Sequence, residues 1–282
     1  MTDKAPKTFL ITGVSSGLGR AFAAGALAAG HRVIGTVRKQ DDADTFAARG
    51  AGRAHPLLLD VTDYARIPDA VAAAITRVGP IDVLVNNAGY GHEGALEESS
   101  IDDLHRQFAA NVYGPVAMMK AVLPGMRQRR RGHIVNVTSM GGFITMPGIS
   151  FYCGSKFALE GISEALGKEV ASFGIRVTSL APGQFRTDWA GRSMERTPRS
   201  IDDYDTVIDP VREARAAKSG YQPGDPARAA QALLALIDAD APPTRLFLGD
   251  DALQLVDKKI DEMREEIEVW APLSRSTAFS SS

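Results

Sequence analysis

A single cysteine, Cys153, stands in 282 residues, so the chain can close no disulfide on itself and offers no thiolate cluster for zinc. No basic excess is present either: the formal net charge is −2, which argues against a general nucleic-acid binder. No apolar run reaches the length of a membrane span. Residues 1–7 are polar and lack the apolar core of a signal peptide. No repeat of 20–50 residues is seen. Low complexity is confined to a Ser-rich end, and residues 271–282 are expected to be a disordered tail. What remains is 44% hydrophobic and 23% charged, the composition of one globular α/β domain. The expectation is a soluble cytoplasmic protein without a metal site.

Short apolar runs alternate with helical stretches. Thr8–Ile11 reads as a buried strand. It leads into Thr12-Gly13-Val14-Ser15-Ser16-Gly17-Leu18-Gly19 and an Ala-rich helix over 20–29. Strand, glycine turn and helix together let a backbone approach a pyrophosphate at a helix N-terminus, and Ser15 and Ser16 add hydroxyl donors. A second strand over 32–36 is followed by Val37 and Arg38. With no acid to bond a free ribose 2′-hydroxyl, Arg38 favours the 2′-phosphate of NADP, NAD staying possible; the alternative is a solvated loop arginine. The third strand, 55–60, ends at Asp60, which either accepts from an adenine amino group above Val61 or caps the next turn. Helical periodicity follows over 64–78. Strand 81–85 then ends in Asn86-Asn87-Ala88-Gly89, small enough for a flat cofactor to pass.

Beyond a capped helix start at Ser99 and Ser100, Asn111 sits inside a helix, where it is intrinsically unfavourable and either holds a water by distorting backbone bonds or is solvated. Arg127, Arg129, Arg130 and Arg131 gather at a helix end, where cations suit the dipole. Strand 133–137 is followed by Ser139 and a loop carrying Gly141, Phe143, Met146 and Ile149. A helix over 151–173 carries Ala158, Gly161 and Ala165 on one stripe, suited to close packing against another helix or another subunit. Strands over 177–180 and 246–248, a capped helix from Asp225 and Pro226, and an amphipathic helix over 252–270 complete the chain. Residues 184–224 show no clean periodicity and are expected to form a mobile lid.

Tyr152 and Lys156 are i and i+4 on the long helix, which stacks a phenol and an ammonium on one face. Lowering a phenol pKa of about 10 by two to three units needs roughly 3–4 kcal/mol. One charge about 4 Å away supplies that at an effective dielectric near 20. Lys156 is therefore expected to make Tyr152 a usable proton donor and acceptor.

Thr12 to Gly19, Asn86-Asn87-Ala88-Gly89, Asn111, Ser139, Tyr152-Cys153-Gly154-Ser155-Lys156 and Pro182-Gly183-Gln184-Phe185-Arg186-Thr187 together resemble the short-chain dehydrogenase/reductase family over about residues 6–250. The 36–38 and 151–159 stretches are loosely similar to its 17β-hydroxysteroid and retinol dehydrogenase branch. The resemblance implies a single Rossmann-type domain, a doubly wound parallel sheet with helices on both faces. It implies Asn111, Ser139, Tyr152 and Lys156 as a catalytic tetrad, Ser139 preceding Tyr152 by the family's thirteen residues. Cofactor contacts would come from Gly13, Ser15, Ser16, Gly17, Leu18, Gly19, Arg38, Asp60, Val61, Asn87, Ala88, Gly89, Tyr152, Lys156, Pro182, Gly183, Phe185 and Thr187. In that reading Lys156 also bonds the nicotinamide ribose, and Asn111 holds a water that links Lys156 to solvent. The substrate, a hydrophobic ketone or alcohol, would meet Ser139, Gly141, Phe143, Met146, Ile149 and Trp189, with Phe143 and Met146 equally readable as core and His92 as a surface residue. A homodimer or homotetramer through 101–128 and 151–173 is expected. The alternative on the same fold is an NADP(H)-binding sensor without turnover.

Overall fold

In the computed structural model, which describes residues 5–191 and 193–279, the apolar runs fold as strands and the periodic stretches as helices. In chain order these are β1 (Thr8–Ile11), α1 (Gly17–Ala28), β2 (Arg32–Val37), α2 (Gln40–Ala48), β3 (Ala54–Leu58), α3 (Ile67–Val78), β4 (Val83–Asn86), β5 (Gly91–Glu93) and α4 (Ile101–Phe108). Then come α5 (Gly114–Arg129), β6 (Gly132–Val137), α6 (Ser150–Val170), β7 (Ile175–Pro182), β8 (Met194–Arg196), α7 (Asp205–Ala217), α8 (Pro226–Asp238), β9 (Arg245–Leu248) and α9 (Asp250–Arg275). Seven strands make one parallel sheet in the order β3-β2-β1-β4-β6-β7-β9.

Both faces of that sheet are covered, and side-chain alternation assigns residues to each. Phe9 and Ile11 of β1 join Phe22, Phe46, Leu233 and Ile237 from α1, α2 and α8. Leu10, between them in sequence, joins Ile67, Val71, Met118 and Met126 from α3 and α5 on the other face. Burial on both faces is why the strands read as continuous apolar runs. The chain winds β1-β2-β3 in one direction and resumes with β4 on the other side of β1. A crevice for a ligand opens at such a reversal, outside the carboxyl ends of the strands.

Three stretches depart from expectation. Residues 184–224 contain β8, paired with β5, and the thirteen-residue α7. Only Ile208 of α7 is buried, so the helix leaves little hydrophobic period to detect. It is anchored by charge instead: Glu93, 1% exposed, accepts from Arg196 Nε at 3.3 Å, Arg212 Nε at 2.7 Å and Arg215 Nη1. The last helix runs on through residues 271–275, which were expected in the tail, and residues 280–282 of that tail lie outside the described residues. His92 is not on the surface: it lies in β5, 2% exposed, its ring stacked on Phe151 at 5.2 Å and Nε2 3.0 Å from Thr197 Oγ1.

Candidate active site

The turn after β1 and the turn after β4 are tied together. Thr12 Oγ1 accepts from the amides of Asn87 and Ala88, both at 2.9 Å, and Asn87 Nδ2 donates to Thr12 O at 2.9 Å and Gly13 O at 3.2 Å. Gly13 and Gly17 have φ of +71° and +54°, and a Cβ on Gly19 would lie 2.2 Å from Gly13 O. Glycine is therefore required at these positions by conformation and by space. Ser16 caps α1 without a side-chain bond, and the first turn holds no acid. The amides of Gly17, Leu18 and Gly19 are thus left without a side-chain cap, beside the exposed Ser15.

Tyr152, Ser139 and Lys156 converge above β6. Ser139 lies near enough to the Tyr152 hydroxyl to favour its phenolate by hydrogen bonding, both side chains border Gly141, and Ser139 Oγ accepts from Gly141 N at 3.0 Å. Lys156 Nζ donates to Val137 O at 2.9 Å and stands 5.7 Å from the centre of the Tyr152 ring. Asn111 reaches the same group through α6: its Nδ2 donates to Ser155 Oγ at 3.1 Å, and Ser155 Oγ donates to Tyr152 O at 2.7 Å. Nδ2 also donates to Tyr90 O at 3.0 Å, while Oδ1 accepts from Tyr90 N at 3.1 Å. The side chain is thus taken up in clamping Tyr90 and Ser155. Distortion of the helix is nevertheless present, since residues 109–113 form a π-turn between α4 and α5.

Electrostatics at this site run against the sequence argument. Burial raises the Tyr152 phenol above its ordinary value, the Ser139 hydrogen bond only partly opposing it. Burial likewise lowers Lys156 to about 8, against the pull of Glu160. The ammonium stands over the ring rather than at the hydroxyl, so desolvation of both groups outweighs their attraction in the protein alone.

Trp189 lies against Tyr152, ring centres 5.1 Å apart, and Ile149, Cys153 and Met146 pack around them. Gly141 borders both hydroxyls: a Cβ there would be 3.3 Å from the Tyr152 ring and 3.4 Å from Ser139 Oγ. Phe143 takes the core reading, edge-on to Phe247 at 5.9 Å and beneath Arg245 at 5.7 Å. Met146 touches both groups of side chains.

Residues 7–197 match a family model described as short chain dehydrogenase. The chain belongs to that family. It is 40% identical to Oxidoreductase BOA17 of Botryotinia fuckeliana (strain B05.10), over 96% of this chain and 99% of that protein. It is 42% identical to the 3-ketodihydrosphingosine reductase of Bacteroides thetaiotaomicron, over 71% of this chain and 72% of that one. A crystal structure of a short-chain dehydrogenase from Streptomyces avermitilis superposes with a TM-score of 0.91 at 40% identity, covering 98% of this chain and all of that one. The protein is accordingly an oxidoreductase of the NAD(P)-dependent short-chain dehydrogenase type, acting on a carbonyl or alcohol.

A dinucleotide fits what this short-chain dehydrogenase presents at the crevice. The uncapped α1 amides suit a pyrophosphate. Thr187 lies 3.7 Å from where a Gly17 Cβ would be, so the chain after Pro182 returns over the glycine turn. Gly183 is held there by its amide to Leu248 O at 2.8 Å, and Phe185 packs on the core beside α1. Arg38 is exposed at the end of β2, in no ion pair among the described residues. Asp60 Oδ1 accepts from Thr62 N at 2.9 Å and Thr62 Oγ1 at 2.7 Å, the turn-capping alternative, while Val61, 8% exposed, packs against Gly114. Gly89 meets Asn111, its Cβ position 2.7 Å from Oδ1. Sequence reasoning missed the working parts of Thr12 and Ser155. Ser155 carries a signal in its i+3 relation to Tyr152; Thr12 carries none beyond its place in the turn.

Proposed function

We propose that this short-chain dehydrogenase uses NADP(H) and acts on a hydrophobic ketone or secondary alcohol, with Tyr152 as proton donor and acceptor. The observation that carries the reading is the convergence of the Ser139 and Tyr152 side chains at Gly141, beside a buried Lys156, at the carboxyl edge of the sheet. When bound, the nicotinamide supplies or accepts the hydride. The α1 amides with Ser15 and Ser16 would hold its pyrophosphate, Arg38 the 2′-phosphate, and Asp60 and Val61 the adenine. Asn87, Ala88, Gly89, Lys156 and the 182–187 return would surround the nicotinamide end.

In the reductive direction the Tyr152 hydroxyl gives its proton to the developing alkoxide, and Ser139 donates a second hydrogen bond to the same oxygen. Lys156 has three N–H donors and spends one on Val137 O, which leaves donors for ribose hydroxyls and for returning a proton to Tyr152. A phenol raised by burial is a weaker acid than the task requires, so the added hydrogen bonds of the filled site must favour the phenolate. Asn111 positions α6 through Ser155 and acts on the reaction through that contact.

Met146, Ile149 and Trp189 give the substrate an apolar wall, and the likeness to a 3-ketodihydrosphingosine reductase is in keeping with a ketone substrate. Residues 184–224 serve as the lid, in a single domain with the rest of the chain. The protein works in the cytoplasm, as a homo-oligomer through 101–128 and 151–173. The test is oxidation of NADPH and NADH against ketones graded by chain length. Turnover that rises with apolar chain length and favours NADPH supports the reading; preference for short polar ketones, or none for NADPH, counts against it.

A further inference from the structure

α9 is 26 residues, roughly 39 Å, and only its first part rests on the body of the protein. Ala252 and Val256 are buried against Met140 and Ile144, and Ile260 packs at the margin of that group. The same stripe then continues with nothing on it: Met263 is 43% exposed, Ile267 66%, Trp270 60% and Leu273 61%. A helical arm of this length is marginal without tertiary contacts, so the stripe calls for a partner. Glu262 and Glu266, one turn apart, border it. Glu262 shares only the long contacts of Lys258 and Lys259, at 3.8 and 3.9 Å, and Glu266 is in no ion pair among the described residues.

Elsewhere on the molecule, the arginine cluster at the end of α5 frames a cleft of about 530 Å³ lined by Pro124, Arg127, Gln128, Arg130 and Phe173. Arg130 lies over the Phe173 ring at 5.5 Å, so the floor is aromatic and the rim cationic. Of the four arginines, Arg129 is spent on Ile81 O and Arg131 stands 3.8 Å from Asp82. Arg127 and Arg130 are in no ion pair among the described residues, and Arg130 Nη1 donates to Ser172 O at 3.3 Å. An acid-bordered apolar stripe and a shallow, arginine-rimmed cleft are thus both left exposed on one chain.

We propose that the α9 arm of one copy seats in the α5 cleft of a second copy. Trp270 and Ile267 meet Pro124 and Phe173, and Glu262 and Glu266 face Arg127 and Arg130. Charge selects this occupant over a lipid surface: residues 261–275 carry five acidic and two basic side chains and would be repelled by anionic lipid. The arm stands clear of its own chain, so the contact is made in trans. A head-to-tail contact of this kind closes on itself when both arms seat reciprocally and propagates when they do not. The cleft lies at the ends of the 101–128 and 151–173 stretches, so the arm would extend the homo-oligomer contact proposed above, and it does not depend on the catalytic reading.

The test is sedimentation equilibrium of the full chain in low and high salt, with three variants at exposed positions. Arg127→Glu with Arg130→Glu, and separately Glu262→Arg with Glu266→Arg, should each weaken self-association roughly tenfold or more. All four changes in one chain restore opposite charges and should return the dissociation constant to within about threefold of the parent. Wild-type association should fall as salt rises. A wild-type chain that stays monomeric, an oligomer indifferent to both reversals, or a fourfold variant no better than either pair would each overturn the proposal.

Discussion

At the scale of single residues, burial governs the groups that matter. It raises Tyr152, lowers Lys156 and lowers His133, the last to about 4 with Arg176 and Lys7 adding to the effect. His133 is 5% exposed, with Nε2 3.0 Å from Thr178 Oγ1. Its folded value lies below the unfolded 6.5, so the unfolded chain takes the proton first as pH falls. The associated stability is complete above about pH 6.5 and is lost progressively toward pH 4, a difference of roughly 3 kcal/mol. Urea midpoints at pH 7.5 and 4.5 should therefore differ less in His133→Gln than in the parent; an equal fall in both would contradict the assignment. Arg38 offers a second test. Arg38→Asp should lower kcat/KM with NADPH and raise it with NADH, shifting the ratio by roughly tenfold or more, the effect of losing a charge-assisted phosphate contact. An unmoved ratio would make Arg38 a surface charge only.

At the scale of elements, what burial on two faces dictates is legible in the sequence, and what charge dictates is not. Thr8–Ile11, the 133–137 run and the glycine turn announce themselves because each residue type meets one requirement: an apolar environment, or a positive φ that favours glycine. Asp225 capping α8 and Ser100 capping α4 are readable for the same reason, their oxygens bonding Ala227 N and Asp103 N. The β5–β8 pair and α7 are not, since three-residue strands have no period and α7 is held by arginines on Glu93. Burial alone would raise the Glu93 carboxyl, but hydrogen bonds from Arg212 and Arg215 bring it below its ordinary value. Glu98 adds a second anchor, accepting from Ser200 N at 2.6 Å and Ile201 N at 2.9 Å. Glu93→Gln leaves three guanidinium groups without their carboxylate and should loosen 194–217 by about 3–5 kcal/mol. Hydrogen exchange in α7 should quicken accordingly while α1 and α6 stay protected; unchanged exchange in α7 would show that packing, not charge, holds it.

At the scale of the whole molecule, one topological fact assembles the site. The reversal between β1 and β4 places the glycine turn, the Asn87 turn and the Ser139 loop along one edge of the sheet, and α6 delivers Tyr152 and Lys156 to the same edge. Residues from four stretches thereby meet, so their roles are readable only as a set. Asn111, Ser139, Tyr152 and Lys156 can be singled out because their spacing resembles a known family. The wall opposite is less legible, since Phe143, apolar and in the right loop, turns into the core toward Phe247. The most direct measurement compares Tyr152→Phe with the parent, following NADPH binding by its fluorescence and turnover with an accepted ketone. NADPH affinity should stay within about threefold while kcat falls by roughly a thousandfold or more. Turnover near the parent level with NADPH still bound would contradict the account.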